Sequence, residues 1–599
     1  MEEILQYFEN ELDYMRRSFE EFERAHPQKA KELGITAGRS SDPDVQRLAD
    51  SLALEAARLH KRMDDTMPET AIDLMRMIAP GFLFGAPSYA VIQPAGDEGQ
   101  LTEPVTVLKD TAVPVILSGD LPDCRFSVAR DTRLAPIRIG EIKLDRAPFR
   151  YGVPDQFRGC EAALTVTLHP LDEGQPLSEA LGDSIELYVS ASGGRKQRLI
   201  DVLSGEVLGV AYAKASTAET VQRDAHVLQP DALVLTMAED WTTFLPNDLA
   251  QVQSIARLRD FFAFPDKASF FTLKDTDGGF QAVTEGPVEL RFFLSSRGAG
   301  TLDQVGEGDI ATNVVPLVNI FVDESLPVRY DYARMQVPIQ PSLSETMPVD
   351  SLQIRDIRKL TAEGEQALPR VTSPSRRRAQ DLPVWQERYV VGEFDPSRRE
   401  VSFSVTSPVG EDPPVLDFVA SMYCSNGRAA IAPRPGAKMF LESEALADLP
   451  FALMDEPSMP VDPDTRPERL WDVMSMINGN FSSIYEQQTA AEALKEALNL
   501  CAPQGYTDAS NAVWDVTVTP TTAPVHIGNN VLLASGNVIE VMIDLDALPF
   551  PGHVFGVALH IYFSSLVSYD RFFQLKVRER GREQPFRVFP RVHGSQACG

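Results

Sequence analysis

The sequence predicts an α+β, multidomain chain: an N-terminal helical segment followed by several predominantly antiparallel β domains with interspersed helices. Two patterns predict it. Through residues 1–85, apolar side chains recur at intervals of three and four, the period of a helix that buries one stripe. From about Pro87 onward, short runs rich in β-branched and aromatic residues alternate with Pro, Gly, Asp and Ser, the punctuation of antiparallel strands. Size is a third observation. At 599 residues the chain exceeds what one hydrophobic core supports, so several cores are expected.

The first helix carries the stripe Leu5, Phe8, Leu12, Met15, Phe19 and Phe22, with Glu, Asp and Arg between, and should end before Pro27. A second starts at Asp42-Pro43-Asp44, where Asp42 suits the N-cap and Pro43 the first helical position. Its stripe reads Val45, Leu48, Leu52, Ala56, Leu59 and Met63. Pro68 then opens a third stretch with Ile72, Met75 and Ile78.

Strands are expected at Tyr89–Gln93, Val105–Leu108, Val113–Leu117, Arg133–Ile139, Leu164–Leu168 and Ile185–Ser190. A helix follows near Val252–Phe262, then strands at Val288–Leu294, Val314–Phe321, Leu352–Ile357 and Val401–Val405. Near the end, helices at Leu470–Ile477 and Ala490–Leu500 precede strands at Val513–Val518, Val525–Ile527, Ile539–Ile543, Val557–Phe563 and Phe572–Val577. The expected divisions are 1–85 (helical assembly segment), 86–250 (first β-rich domain), 251–410 (second β-rich domain with a connecting helix) and 411–599 (C-terminal α+β domain).

Composition narrows function. Hydrophobic residues make up 43% and charged residues 24%, with no low-complexity tract, so most of the chain should fold. The opening Met1-Glu2-Glu3-Ile4-Leu5 carries acids where a secretory signal carries Lys or Arg, and no apolar run approaches the ~20 residues needed to cross a bilayer. No leader and no membrane insertion are expected. Cys124, Cys160, Cys424, Cys501 and Cys598 are odd in number and lack CxxC spacing, which argues against a zinc site or disulfide framework and fits a reducing cytoplasm. A net charge of −30 repels phosphate backbones and anionic lipid, so nucleic acid is not an expected partner. The basic run Arg376-Arg377-Arg378, after Thr372-Ser373-Pro374, reads as an exposed loop.

Catalytic signatures are missing. Gly306-Glu307-Gly308-Asp309-Ile310-Ala311 matches the dinucleotide template, but strand-like Val314-Val315-Pro316 follows where a helix is required, so the segment reads as a turn. His553 and His560, on an expected loop and strand, are spaced for neither helical nor strand metal pairing. No catalytic residue, cofactor or metal is expected. The candidate functional residues are Leu5, Phe8, Leu12, Met15, Phe19 and Phe22. A terminal helix frays unless something holds it, and this one carries an apolar stripe spaced to interlock with other helices.

Several strings stand out in order along the chain: Tyr7-Phe8-Glu9-Asn10-Glu11-Leu12, Gly38-Arg39-Ser40-Ser41-Asp42-Pro43-Asp44-Val45-Gln46-Arg47-Leu48, Ala57-Arg58 to Asp64-Asp65, and Pro68-Glu69. Farther on come Arg259-Asp260-Phe261-Phe262-Ala263-Phe264-Pro265-Asp266-Lys267, Thr312-Asn313 to Phe321, Cys424-Ser425-Asn426 and Leu470-Trp471 to Asn478. Together they resemble one family, the TssF (also ImpG or VasA) baseplate subunits of bacterial type VI secretion systems. Phe262 and Ser425 depart from the family's Tyr and Thr.

Each string also has a packing explanation: Phe261, Phe262 and Phe264 as core aromatics, Asn313 and Asn319 satisfying turn backbone, Trp471 packed. The resemblance implies a structural wedge subunit, not an enzyme. It implies two copies joined to one TssG, with TssK and TssE attached and with sheath, spike and tube proteins as indirect partners, at the cytoplasmic face of the inner membrane. The alternatives are the equivalent wedge protein of a contractile phage tail or extracellular injection particle, and an uncharacterised β-rich hydrolase.

Overall fold

The computed structural model describes residues 2–36, 39–95, 101–117, 121–172, 177–214, 226–229, 231–240, 242–246, 253–275, 280, 287–371, 383–388, 399–404, 415–464, 466–478, 489–502, 508–527, 530–564, 566–567 and 571–593. The Thr372–Arg378 run and Cys598 lie outside them. The architecture is α+β, as the sequence predicts.

Helix α1 spans Glu2–Ala25, and a short helical segment, Pro27–Glu32, follows it. Helix α2 spans Pro43–Ile78, capped by Asp42, whose carboxylate accepts from the Asp44 amide at 2.9 Å. The expected break at Pro68 is corrected: α2 runs through it as one helix. Pro68 removes one backbone donor, and the rest of the hydrogen-bond ladder carries the helix across it.

Beyond α2, short strands build several sheets. A six-stranded sheet orders Lys438–Met439, Phe451–Leu453, Tyr89–Pro94, Val315–Val318, Cys124–Val128 and Ala112–Val115. A five-stranded sheet orders His226–Val227, Val207–Lys214, Val288–Leu294, Ala162–Pro170 and Ile137–Arg146. Strands from either side of residues 250 and 410 thus share sheets. Helix α3 (Gly193–Gly205), which the sequence reading did not anticipate, and helix α4 (Gln253–Ala263) lie in the largest core.

Strand β1 (Val513–Ile527) and strand β2 (Asn530–Ile543) form a long hairpin where the sequence suggested three separate strands. Pro520 and Pro524 lie within β1 and obscured its continuity. Helix α5 spans Gly552–Ser564, and strand β3 spans Arg571–Glu579. The expected strand at Val557–Phe563 is corrected to helix. β2 and β3 pair in parallel, which requires a crossover, and α5 is that crossover. Being buried on nearly every side, α5 shows no polar face, so its sequence lacks the helical period.

His553 and His560 are therefore both on α5, not on a loop and a strand. His553 ties the helix to α3: its amide donates to Asp201 Oδ1 at 3.0 Å, and its Nε2 lies 3.0 Å from Glu206 Oε1. Gly306 and Asp309 form a turn, closed by the Asp309 amide donating to the Gly306 carbonyl. Phe261, Phe262 and Phe264 are buried, but Trp471 is exposed, contrary to expectation. Its helix, Pro467–Asn478, turns Leu470, Val473 and Met474 toward α2 instead.

Candidate partner-docking site

The helical segment is a lever. The C-terminal part of α2 is anchored to the body, where Ala71, Ile72 and Met75 pack with Leu470, Val473, Met474 and Leu500. At ~1.5 Å per residue, α2 is about 54 Å long, and its N-terminal half carries α1 alongside.

The connection between α1 and α2 explains the Ser40–Pro43 part of its string, Gly38 lying outside the described residues. The Ser41 amide donates to the Gly34 carbonyl at 2.8 Å, the Ser41 hydroxyl to the same carbonyl at 3.1 Å, and the Ser40 hydroxyl to the Leu33 carbonyl at 2.6 Å. Ser40 Oγ also accepts from the Asp42 amide at 3.2 Å. Gly34 adopts φ +61°, and a Cβ there would sit 2.5 Å from Ser41 Oγ, so the turn needs glycine. These bonds set the angle at which α1 folds back onto α2.

Ala49, Ala53 and Ala57 are the buried residues on this part of α2, and Glu11 Oε1 meets His60 Nδ1 at 2.5 Å across the α1–α2 contact. The small side chains let two helices approach closely while α1 supplies the bulk. Of the predicted stripe, Phe8, Leu12, Met15, Phe19 and Phe22 are half-buried, none of them fully covered. The side chain of Leu5 lies outside the described residues.

The predicted α2 stripe is corrected. Leu48, Leu52 and Leu59 remain 72%, 58% and 63% exposed, while the residues one position further on at the first two sites, Ala49 and Ala53, face inward. Spacing permitted either face, and side-chain size pointed to the wrong one. The alanine period was the missed signal. The hairpin therefore presents two incompletely covered apolar surfaces, the α1 stripe and the α2 leucines.

The base of the lever is locked by the Arg259–Lys267 string. The Arg259 guanidinium, on α4, is buried, donates to the carbonyls of Gly81 and Gly85, and stacks over Phe82 at 4.7 Å. Burial pushes it down to about 10, so it stays charged at neutral pH. Asp260 accepts from the amides of Phe244 and Leu245 and pairs with Lys267 at 2.7 Å. The neighbouring Cys501 thiol is pushed up to about 12 by burial, so it is unreactive at neutral pH.

Among the described residues, no group of three or more His, Cys, Asp or Glu is placed to hold a metal ion. No described helix is long and apolar enough to cross a membrane. The described cysteines, Cys124, Cys160, Cys424 and Cys501, are free and buried.

Comparison with known proteins gives a consistent result. The chain is 22% identical to "Type VI secretion system component TssF1" of Pseudomonas aeruginosa (strain PAO1), across 98% of each chain. Its fold matches a chain of a type VI secretion system TssK-TssF-TssG baseplate subcomplex with TM-score 0.69, 17% identity, and coverage of 92% of this chain and 100% of that one. A chain of a type VI secretion baseplate complex matches with TM-score 0.57, 17% identity, and coverage of 99% and 100%. The family model "Type VI secretion system, TssF" matches residues 1–596, and the chain belongs to that family.

Proposed function

We propose that the chain is a structural wedge subunit of a type VI secretion baseplate, in which two copies join one TssG, with TssK and TssE attached. On this reading it is not an enzyme, and it supports assembly of the sheath and tube around the spike. It works in the cytoplasm, at the inner-membrane face, through the secretion complex. Family membership supports the reading, as do the TssK-TssF-TssG assemblies named for the proteins it resembles in fold.

The observation that carries it is the uncovered apolar surface of the α1–α2 hairpin. Leu48, Leu52 and Leu59 lie on one face of α2 and are exposed, and the stripe from Phe8 to Phe22 is half-covered. Packing helices from TssG or a second copy against these surfaces would stabilise the complex by ~1.5–3 kcal/mol for each large side chain buried, before ordering costs. The acidic surface sets registry against basic neighbours more than it supplies affinity, so raised salt should weaken assembly.

The test is co-purification with TssG. Leu48→Asp with Leu52→Asp changes exposed positions only and should abolish it, with circular dichroism unchanged. Phe8→Asp with Phe19→Asp should do the same. Undiminished capture of TssG by both double variants would refute the assignment of the site.

A further inference from the structure

The Pro68-Glu69 string lies well inside α2, which runs from Pro43 to Ile78. Proline has no N–H, so Pro68 leaves the Asp64 carbonyl, four residues back, without its helical donor. Sharp bends in long helices are found mostly at prolines. The helix is continuous across this point, but one rung of its ladder is missing there.

Packing divides at the same place. Toward the C-terminus, Ala71, Ile72 and Met75 are buried with Leu470, Val473 and Met474, and the Arg259 guanidinium binds the Gly81 and Gly85 carbonyls just past the helix. That end belongs to the body. Toward the N-terminus, α2 carries α1, whose main packing among the described residues is on α2 and on the two short segments that join them. That end is a two-helix arm.

The arm stops where the proline stands. Glu11 meets His60 at 2.5 Å, and α1 begins at Glu2, nine residues before Glu11, while Pro68 is eight residues after His60. Because α1 folds back along α2, at ~1.5 Å per residue its first turn comes about level with Pro68. α1 therefore splints α2 up to the proline, and buried Ala71 of the base follows three residues beyond it. The step between the two packed bodies is the step with the missing bond.

We propose that Pro68 is a hinge, about which the α1–α2 arm swings as one body relative to the anchored base. Each side keeps its packing in such a motion, because neither the alanine contact of the arm at Ala49, Ala53 and Ala57 nor the apolar contact of the base crosses residue 68. What the hinge serves rests on the docking reading above, in which two copies join one TssG. A single chain has no two-fold axis, so it cannot give two identical copies the same surroundings. Two copies then meet it with their arms at different angles to their bodies, and a jointed arm allows this without repacking either core.

The test uses the full chain in a Cys598→Ser background, since the described cysteines are buried. Spin labels at Arg47→Cys on the arm and Asp472→Cys beside the base report the angle of the arm, and labels at Arg47→Cys and Glu9→Cys report the geometry within it; all three positions are exposed. By double electron–electron resonance, the chain with Pro68 should give a broad arm-to-body distance distribution and a narrow one within the arm. Pro68→Ala, which restores the missing donor, should narrow the first at least twofold and leave the second unchanged. Equal arm-to-body widths with and without Pro68, or a within-arm width that narrows alongside, would overturn the hinge. In complexes with TssG, with unlabelled chain in excess so that each complex carries at most one labelled copy, the arm-to-body pair should give two distances. A single distance would overturn the use assigned to the hinge. Failure to capture TssG at all would overturn the docking reading instead, and the measurement on the chain alone would still decide the hinge.

Discussion

Asn319 and Asn426 hold each other across separate parts of the chain. The Asn426 amide donates to Asn319 Oδ1 at 2.7 Å, and Asn319 Nδ2 donates to Asn426 Oδ1 at 2.9 Å. Each also satisfies other backbone. Asn319 donates to the Arg125 carbonyl, while Asn426 accepts from the Arg125 amide and donates to the Pro348 carbonyl. Both are buried, so replacing Asn426 by Ala strands several polar groups, each costing about 1–3 kcal/mol. Asn426→Ala should lower the urea midpoint accordingly, and Asn319→Ala should add less than its own separate cost, because the two share one network. Full additivity would contradict the coupling.

At the α1–α2 connection, Gly34→Ala introduces a Cβ against Ser41 Oγ at a positive φ, a strain of about 1–2 kcal/mol. Ala57→Leu forces a larger side chain into a fully buried site on α2, costing about 1–3 kcal/mol. Both should loosen α1 and speed limited proteolysis within residues 26–42, leaving strand content unchanged. Leu52→Ala, at an exposed site, should do neither. Unchanged cleavage in Gly34→Ala and Ala57→Leu would mean that the turn and the alanine face do not hold the hairpin.

Legibility followed local signals. The Asp42-Pro43 cap was readable because it is local chemistry, and the strand at Val288–Leu294 was readable because apolar runs between breakers mark strands. α5 was not, since a helix surrounded by core has no polar face to reveal its period. The stripe on α1 could be read as helical, but not how much of it α2 covers. On α2 the leucines that look like core are exposed, because the packing distance is set by alanines. The strings that identify the family proved mostly internal. Asn313, at φ +59°, binds Ala135 and Ile137 backbone, as expected of a residue satisfying a turn, and Arg259 clamps Gly81 and Gly85. Such long-range partners leave no trace in local periodicity.

The clamp yields a third prediction. Arg259→Met leaves the Gly81 and Gly85 carbonyls without their donor, and charge-assisted bonds of this kind contribute about 1.5–3 kcal/mol each. Arg259→Lys should recover only part of the loss, since one ammonium lacks the planar fork that reaches two carbonyls. Hydrogen exchange should rise first at residues 79–86, where α2 joins the body. Uniform protection there in Arg259→Met would remove the guanidinium from the account of how the lever is fixed.

The last prediction concerns pH. His560 on α5 stacks on Phe589 at 4.5 Å between centroids and lies 5.2 Å from Phe573, with no hydrogen-bond partner for its Nδ1. Burial, reinforced by the nearby Arg587, lowers its pKa from 6.5 to about 4. The folded state thus holds the ring neutral where the unfolded chain protonates it. Between pH 6.5 and about 4 the unfolded state binds more protons, so stability falls as the pH is lowered through that window. At 1.36 kcal/mol per unit, the contribution of this one ring is about 2 kcal/mol between pH 7.5 and pH 5. Glu206, held low despite its burial by His553, Ser295 and Arg297, adds a separate loss as the pH falls from about 4.5 downward, below the pH 5 end of the comparison. Urea denaturation at the two pH values measures the difference, and His560→Phe should reduce it by about 2 kcal/mol while retaining the stack on Phe589. An equal loss of stability in wild type and variant would show that the ring titrates alike in the folded and unfolded chain.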